Sequence, residues 1–108
     1  MTNERISTKE EVDVKIFNMQ GDLLIEMEMI DLKINIRNGS YQWDIEFYPD
    51  FYAEEAWEKM VYDNEIGDVT YRFEFKRRNL IREGFGTLRG KANNPCKMTG
   101  TTKLKLKK

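Results

Sequence analysis

The stretch from Ile30 to Phe47, IDLKINIRNGSYQWDIEF, decides how this chain folds. Ile30, Leu32, Ile34 and Ile36 alternate with polar residues, Asn38-Gly39 interrupts, and Tyr41, Trp43, Ile45 and Phe47 resume the alternation on odd positions. Apolar residues at every second position make a strand with one buried face. Asn-Gly tolerates the positive φ of a two-residue type I′ hairpin turn. Closing the turn there predicts Ile36 opposite Tyr41, Ile34 opposite Trp43, Leu32 opposite Ile45 and Ile30 opposite Phe47. On the other face Lys33 would meet Asp44. Asp31 would meet Glu46, a repulsion that calls for a basic neighbour from elsewhere in the chain.

Upstream, Val12, Val14 and Ile16 lead through Gln20-Gly21 to Leu23, Ile25, Met27 and Met29. Closing that hairpin matches Lys15 with Glu26. Between Met29 and Ile30 the apolar positions change from odd to even, which a flat strand cannot do without turning its buried side outward. The sequence therefore predicts a bulge or a corner there, as in barrels and sandwiches whose strands bend between sheets.

Downstream, Pro49-Asp50 ends the third strand and offers an Asp N-cap. Phe51 to about Asp63 then sets Ala53, Ala56, Trp57 and Met60 on one helical stripe, with Glu55 able to pair with Lys59. Val69, Tyr71, Phe73 and Phe75 alternate as a fourth strand, Arg77-Arg78-Asn79 reads as a turn, and Leu80 to Leu88 as a glycine-bent strand. Lys91 to Cys96 reads as a loop, and Thr99 to Lys107 as a closing strand. Strands, one helix and more strands, with no βαβ alternation, predict a mainly β (α+β) domain. Its expected form is an antiparallel β-sandwich or barrel with one α-helix between the third and fourth strands.

Composition agrees with one domain spanning 1–108, with loose ends at about 1–10 and 107–108. A chain of 108 residues buries roughly 65% of its unfolded surface, enough for one core without staples. The start lacks the apolar run of a signal peptide, and the longest apolar stretch, Leu23 to Ile36, is broken by Glu26, Glu28, Asp31 and Lys33. The expectation is a soluble, intracellular protein that does not enter a membrane. The net charge of −1 conceals a strong segregation: Met1 to Tyr71 carry 6 Lys/Arg against 17 Asp/Glu (−11), and Arg72 to Lys108 carry 12 against 2 (+10). Such a split serves pairing of strands within one fold, a basic surface for a polyanion, or complementary faces through which copies stack.

The chemical inventory is thin. His is absent, which removes Ser/His and Cys/His nucleophiles and every His-bearing metal site. Glu26 with Glu28, and Asp44 with Glu46, share strand faces and could act as acid and base or hold a cation, yet alternation places acids on a solvated face anyway. Cys96 has no evident base beside it. Gly84-Phe-Gly-Thr-Leu-Arg-Gly90 lacks the Lys-Ser/Thr of a phosphate loop and opens no helix. Arg77, Arg78, Arg82, Arg89 and Lys91, near Phe73, Phe75 and Phe85, form a candidate basic interaction surface. Glu26, Glu28, Glu54 and Glu58 form a candidate acidic one. No catalytic residue, metal ligand or cofactor is expected.

From Ala53 to Lys107 the order of elements resembles the C-terminal part of bacteriophage tail-tube proteins. The helix is Ala53-Glu-Glu-Ala-Trp-Glu-Lys-Met and the strand Val69-Thr-Tyr-Arg-Phe-Glu-Phe; a turn, Gly84-Phe-Gly-Thr-Leu, a loop and Thr101-Thr-Lys-Leu-Lys-Leu follow. The resemblance covers about half the chain. It implies a β-sandwich or barrel flanked by a helix, forming hexameric rings that stack into a tube through which DNA passes. The sequence expectation is thus a non-enzymatic structural protein, such as a tail-tube-like or other virion component, that self-associates through charged β-sheet surfaces and is found in the host cytoplasm or the assembled virion. The alternative is a small intracellular regulator that binds nucleic acid or an unidentified protein through its basic half.

Overall fold

A strand whose buried positions change parity must carry one extra residue, and the ladder shows where it sits. The computed structural model describes residues 5–37, 42–48, 51–67, 69–88 and 96–107. β1 (Arg5–Phe17) and β2 (Leu23–Arg37) form a long antiparallel ribbon in which Val14 lies opposite Met27 but Val12 lies opposite Ile30. Asp13 therefore faces two residues, Glu28 and Met29. Met29 adopts φ 52°, and its N–H donates to Asp13 Oδ1 at 3.0 Å. This β-bulge lets Met27 and Ile30 both point inward and turns Met29 out.

The bulge also bends the ribbon so that it can serve both sides of a barrel. On one side, Asp13 to Phe17 pair with β4 (Thr70–Arg77). On the other, Lys33 to Arg37 pair with β3 (Gln42–Phe47). β3 pairs with β6 (Cys96–Gly100), β6 with β5 (Leu80–Leu88), and β5 with β4. Every pairing is antiparallel, and the circuit closes into a six-stranded barrel. A two-residue strand, β7 (Lys105–Leu106), adds to β5 beyond β6. The helix α1 (Glu54–Ile66) lies between β3 and β4, and the fold is the mainly β barrel with one helix in that place. Among the described residues, the outer edge of β1 from Arg5 to Val12 carries no second partner strand.

Several local expectations are corrected. Ile34 lies opposite Ile45 and Ile36 opposite Trp43, a shift of two residues from a turn closed on Asn38-Gly39. Those two residues, Tyr41 and the Pro49-Asp50 stop lie outside the described residues. Lys33 consequently meets Glu46, and Asp44 meets Asn35, whose Nδ2 donates to Asp44 Oδ1 at 2.8 Å. The Asp31–Glu46 repulsion does not arise, and Lys97 of β6 comes within 3.9 Å of Glu46 from the basic half. The helix starts at Glu54, behind an Ala53 N-cap with no side-chain cap bond. Residues 5–10, expected among the loose ends, are the first half of β1. Lys107 is also tied down: its N–H donates to Ile81 O at 2.8 Å.

The closing strand breaks into β6 and β7 because of one side chain. Trp43, 2% exposed, points into the barrel, and its Nε1–H donates to Thr102 O at 2.7 Å. The kink at Thr101-Thr102 turns that carbonyl inward and is held on β5, where Phe85 N–H donates to Thr102 Oγ1 at 2.9 Å. The indole lies over a floor of glycines. A Cβ on Gly100 would overlap the indole, and one on Gly86 would stand 2.7 Å from Thr99 O. The core continues through Ile16, Met27, Ile45, Phe47, Phe73 and Met98. Phe47 makes an edge contact with Trp57, at 5.4 Å between centroids, that seats α1 on the barrel.

Candidate functional site at the two ends of the barrel

The strand directions sort the charged residues into a wall and two ends. α1 follows β3 and precedes β4, so it lies at the end where β4 begins. β4 runs from Thr70 to Arg77, and eight strand residues span about 23 Å. The turn after β4 therefore marks the opposite end.

Around the wall, one row of charges runs across five strands in register: Glu26 of β2, Lys15 of β1, Glu74 of β4, Glu83 of β5 and Lys105 of β7. Lys15 lies 3.6 Å from Glu26. The two adjacent glutamates would repel, and Arg72 bonds both Glu74 and Glu83. Lys107 Nζ also donates to Glu74 Oε2 at 3.0 Å. Glu74 is 6% exposed. Burial alone would raise its pKa, but the hydrogen bonds and charges of Lys107 and Arg72 outweigh burial and hold the carboxyl below its usual value. Arg72 in turn stacks on Phe17, 4.0 Å from the ring centroid. Within this row Glu26, Glu74 and Glu83 are paired, whereas on the β1–β2 ribbon Glu11 lies directly opposite Asp31.

The ends differ. At the α1 end, Glu54, Glu55, Glu58, Asp63 and Glu65 stand exposed on the helix against Lys59. At the other end, Lys76, Arg77 and Arg78 stand exposed at the β4–β5 hairpin, with Arg78 at φ 55° in a two-residue turn. The large apolar side chains exposed among the described residues share this distribution. Met19, Leu23, Tyr48, Phe51, Tyr52, Tyr62 and Ile66 surround α1, whereas Met29, Leu80 and Leu106 surround the hairpin.

Of the expected acidic surface, Glu54 and Glu58 come together on α1. Glu26 is drawn into the wall, and Glu28 sits in the bulge, on the hairpin side of the barrel. Of the expected basic surface, Arg77 and Arg78 share the hairpin tip and Arg82 is half-buried opposite Leu106. Arg89 and Lys91 lie outside the described residues. Phe73 is fully buried and Phe75 7% exposed, so neither ring is available to a ligand, whereas Phe85 is half-buried beside Arg72, Lys103 and Lys105. Sequence reasoning missed Tyr48, Phe51 and Tyr52. The run Tyr48-Pro-Asp-Phe-Tyr52 was their signal: aromatics crowded around a proline, with no strand or helix spacing to bury them.

Behind α1 lies a cleft of about 580 Å³ lined by Leu23, Leu24, Ala56, Met60, Val69 and Tyr71, with Lys59 and Asp63 on its rim. Burial, and to a lesser degree Asp63, push the Tyr71 phenol above its ordinary value. Cys96 lies within β6, not in a loop, and is fully buried. Burial and then the charge of Glu54 push its thiol up to about 12, so it is no nucleophile in the folded state. Among the described residues, no three His, Cys, Asp or Glu converge as a metal site. No described helix is long and apolar enough to cross a membrane. The chain matches no family model, no curated protein and no solved structure.

Proposed function

We propose that this chain is a non-enzymatic assembly protein whose copies stack end to end, the acidic α1 end of one meeting the basic hairpin end of the next. The observation that carries the reading is the shared placement of exposed apolar side chains and unlike charges at opposite ends of a barrel whose wall carries a row of paired charges. A heterologous contact of this kind repeats from copy to copy, closing into a ring or running on as a filament according to its rotation, and opposite charges orient it. The resemblance of Ala53 to Lys107 to tail-tube proteins gives the reading its finer form: rings stacked into a tube, made in a host cytoplasm and carried in a virion.

Nucleic-acid binding through Arg77, Arg78 and Arg82 is the alternative. The burial of Phe73 and Phe75 weakens it, because stacking on bases needs open rings. Light scattering coupled to size exclusion, over a concentration series at low and moderate salt without nucleic acid, separates the two. The expected result is a mass that climbs with concentration and falls with salt. A constant 12.9 kDa would overturn the proposal. Retention on DNA that weakens steeply with salt would then favour the alternative.

A further inference from the structure

The barrel ends differ in shape as well as charge: one projects a tip and the other holds a cleft. The tip is Lys76-Arg77-Arg78-Asn79-Leu80, in which Leu80 is 53% exposed. Arg78 there adopts φ 55°, a conformation that Gly or Asn reaches at lower cost than Arg. Keeping Arg in a strained turn points to use of its side chain. The cleft at the opposite end is apolar at its base, through Leu24, Met60 and Val69, and large enough for a branched side chain. Its rim and the neighbouring helix carry five carboxylates against Lys59.

We infer that the Leu80 side chain at the β4–β5 tip of one copy seats in the cleft between α1 and the β1–β2 turn of the next, with Lys76 and Arg78 against the α1 carboxylates. The inference rests on end-to-end stacking and names its contact. The occupant is a second copy of this chain because the tip offers what the cleft lacks: a compact apolar group framed by positive charge. Asp63 on the rim receives a cation from the tip. Burying Leu80 accounts for affinity; the charges account for direction.

The test is disulfide trapping. Leu80→Cys and Leu23→Cys, alone and combined, are oxidised at a concentration where the wild type associates, and are run without reductant. Both native residues are exposed, and Cys96 is fully buried, so folding and background are controlled. The double variant is expected to give a ladder of covalent multimers, and each single variant at most pairs. Leu80→Asp should weaken association about tenfold or more, the scale of one lost buried leucine, with an unchanged circular dichroism spectrum. Association that persists in Leu80→Asp within twofold, with no ladder from the double variant, would overturn the tip-in-cleft contact and leave stacking standing. A wild type that stays monomeric at every concentration would overturn both.

Discussion

The wall of this barrel and its two ends are built from the same kinds of residue and put them to opposite uses. On the wall, Lys15, Arg72 and Lys107 are spent on Glu26, Glu74 and Glu83, and Trp43 has its indole N–H bonded and its ring fitted against glycines. At the ends, the α1 carboxylates and the hairpin cations are exposed beside Phe51, Tyr52 and Leu80. The paired row contributes stability, whereas Lys76, Arg78 and the α1 carboxylates stand exposed where a second copy can reach them. The split between acidic and basic halves is consumed along the Glu26–Lys15–Glu74–Glu83 row and survives folding at the ends and at Glu11 and Asp31.

That contrast breaks most visibly under Trp43. Gly100→Ala should destabilise the fold by about 2–4 kcal/mol, since the added methyl displaces the indole and its bond to Thr102. Leu80→Ala at the hairpin end should stay within about 0.5 kcal/mol of the wild type. Thermal or urea denaturation at low protein concentration measures both, and equal costs would remove the distinction.

A second comparison uses acid. Glu74→Gln should cost about 1–3 kcal/mol, the worth of hydrogen bonds to a buried charge. The folded-state pKa of Glu74 lies below its ordinary value of 4.5, so its contribution is fully present above that value and is lost as pH falls through the lowered one. Urea titrations from pH 7 to pH 3 should show a wild-type loss of stability below about pH 4.5 that Glu74→Gln lacks in part. Parallel curves would show that Glu74 does not carry it.

The smallest effect should come from the strained tip. Arg78→Gly relieves a left-handed backbone and should raise stability by about 0.5–1 kcal/mol, measured by melting temperature, while lowering the mass seen by light scattering. A stabilised variant that assembles normally would mean that Arg78 is not kept for contact.

Much of this fold is legible in the sequence. The parity change at Met29-Ile30 located the bulge, and Lys15 opposite Glu26 located the first register, because both depend on neighbours along one ribbon. The second hairpin was misregistered by two residues for a tertiary reason. A two-residue slip keeps Trp43 on the inward face, and packing of its indole against Gly86 and Gly100, far along the chain, outweighs the local preference of Asn-Gly. Likewise the spacing of Thr99 to Lys107 gave no sign that Trp43 would claim the Thr102 carbonyl and split the strand. For the candidate site, residue types were readable and their positions were not. Glu26 and Glu54 look alike in sequence, but only the β4–β5 and β3–β6 closures put one on the wall and the other at an end.

The most direct test of end-to-end assembly is mutual rescue by charge reversal. Glu54→Lys/Glu55→Lys/Glu58→Lys makes both ends basic, and Arg77→Glu/Arg78→Glu makes both ends acidic, with each change on an exposed position. Light scattering is made on each variant alone and on an equimolar mixture at low salt. Each variant alone should remain near 12.9 kDa, and the mixture should recover concentration-dependent assemblies in which the two alternate. Assembly by either variant alone, or a mixture as monomeric as its components, would contradict stacking through opposite ends.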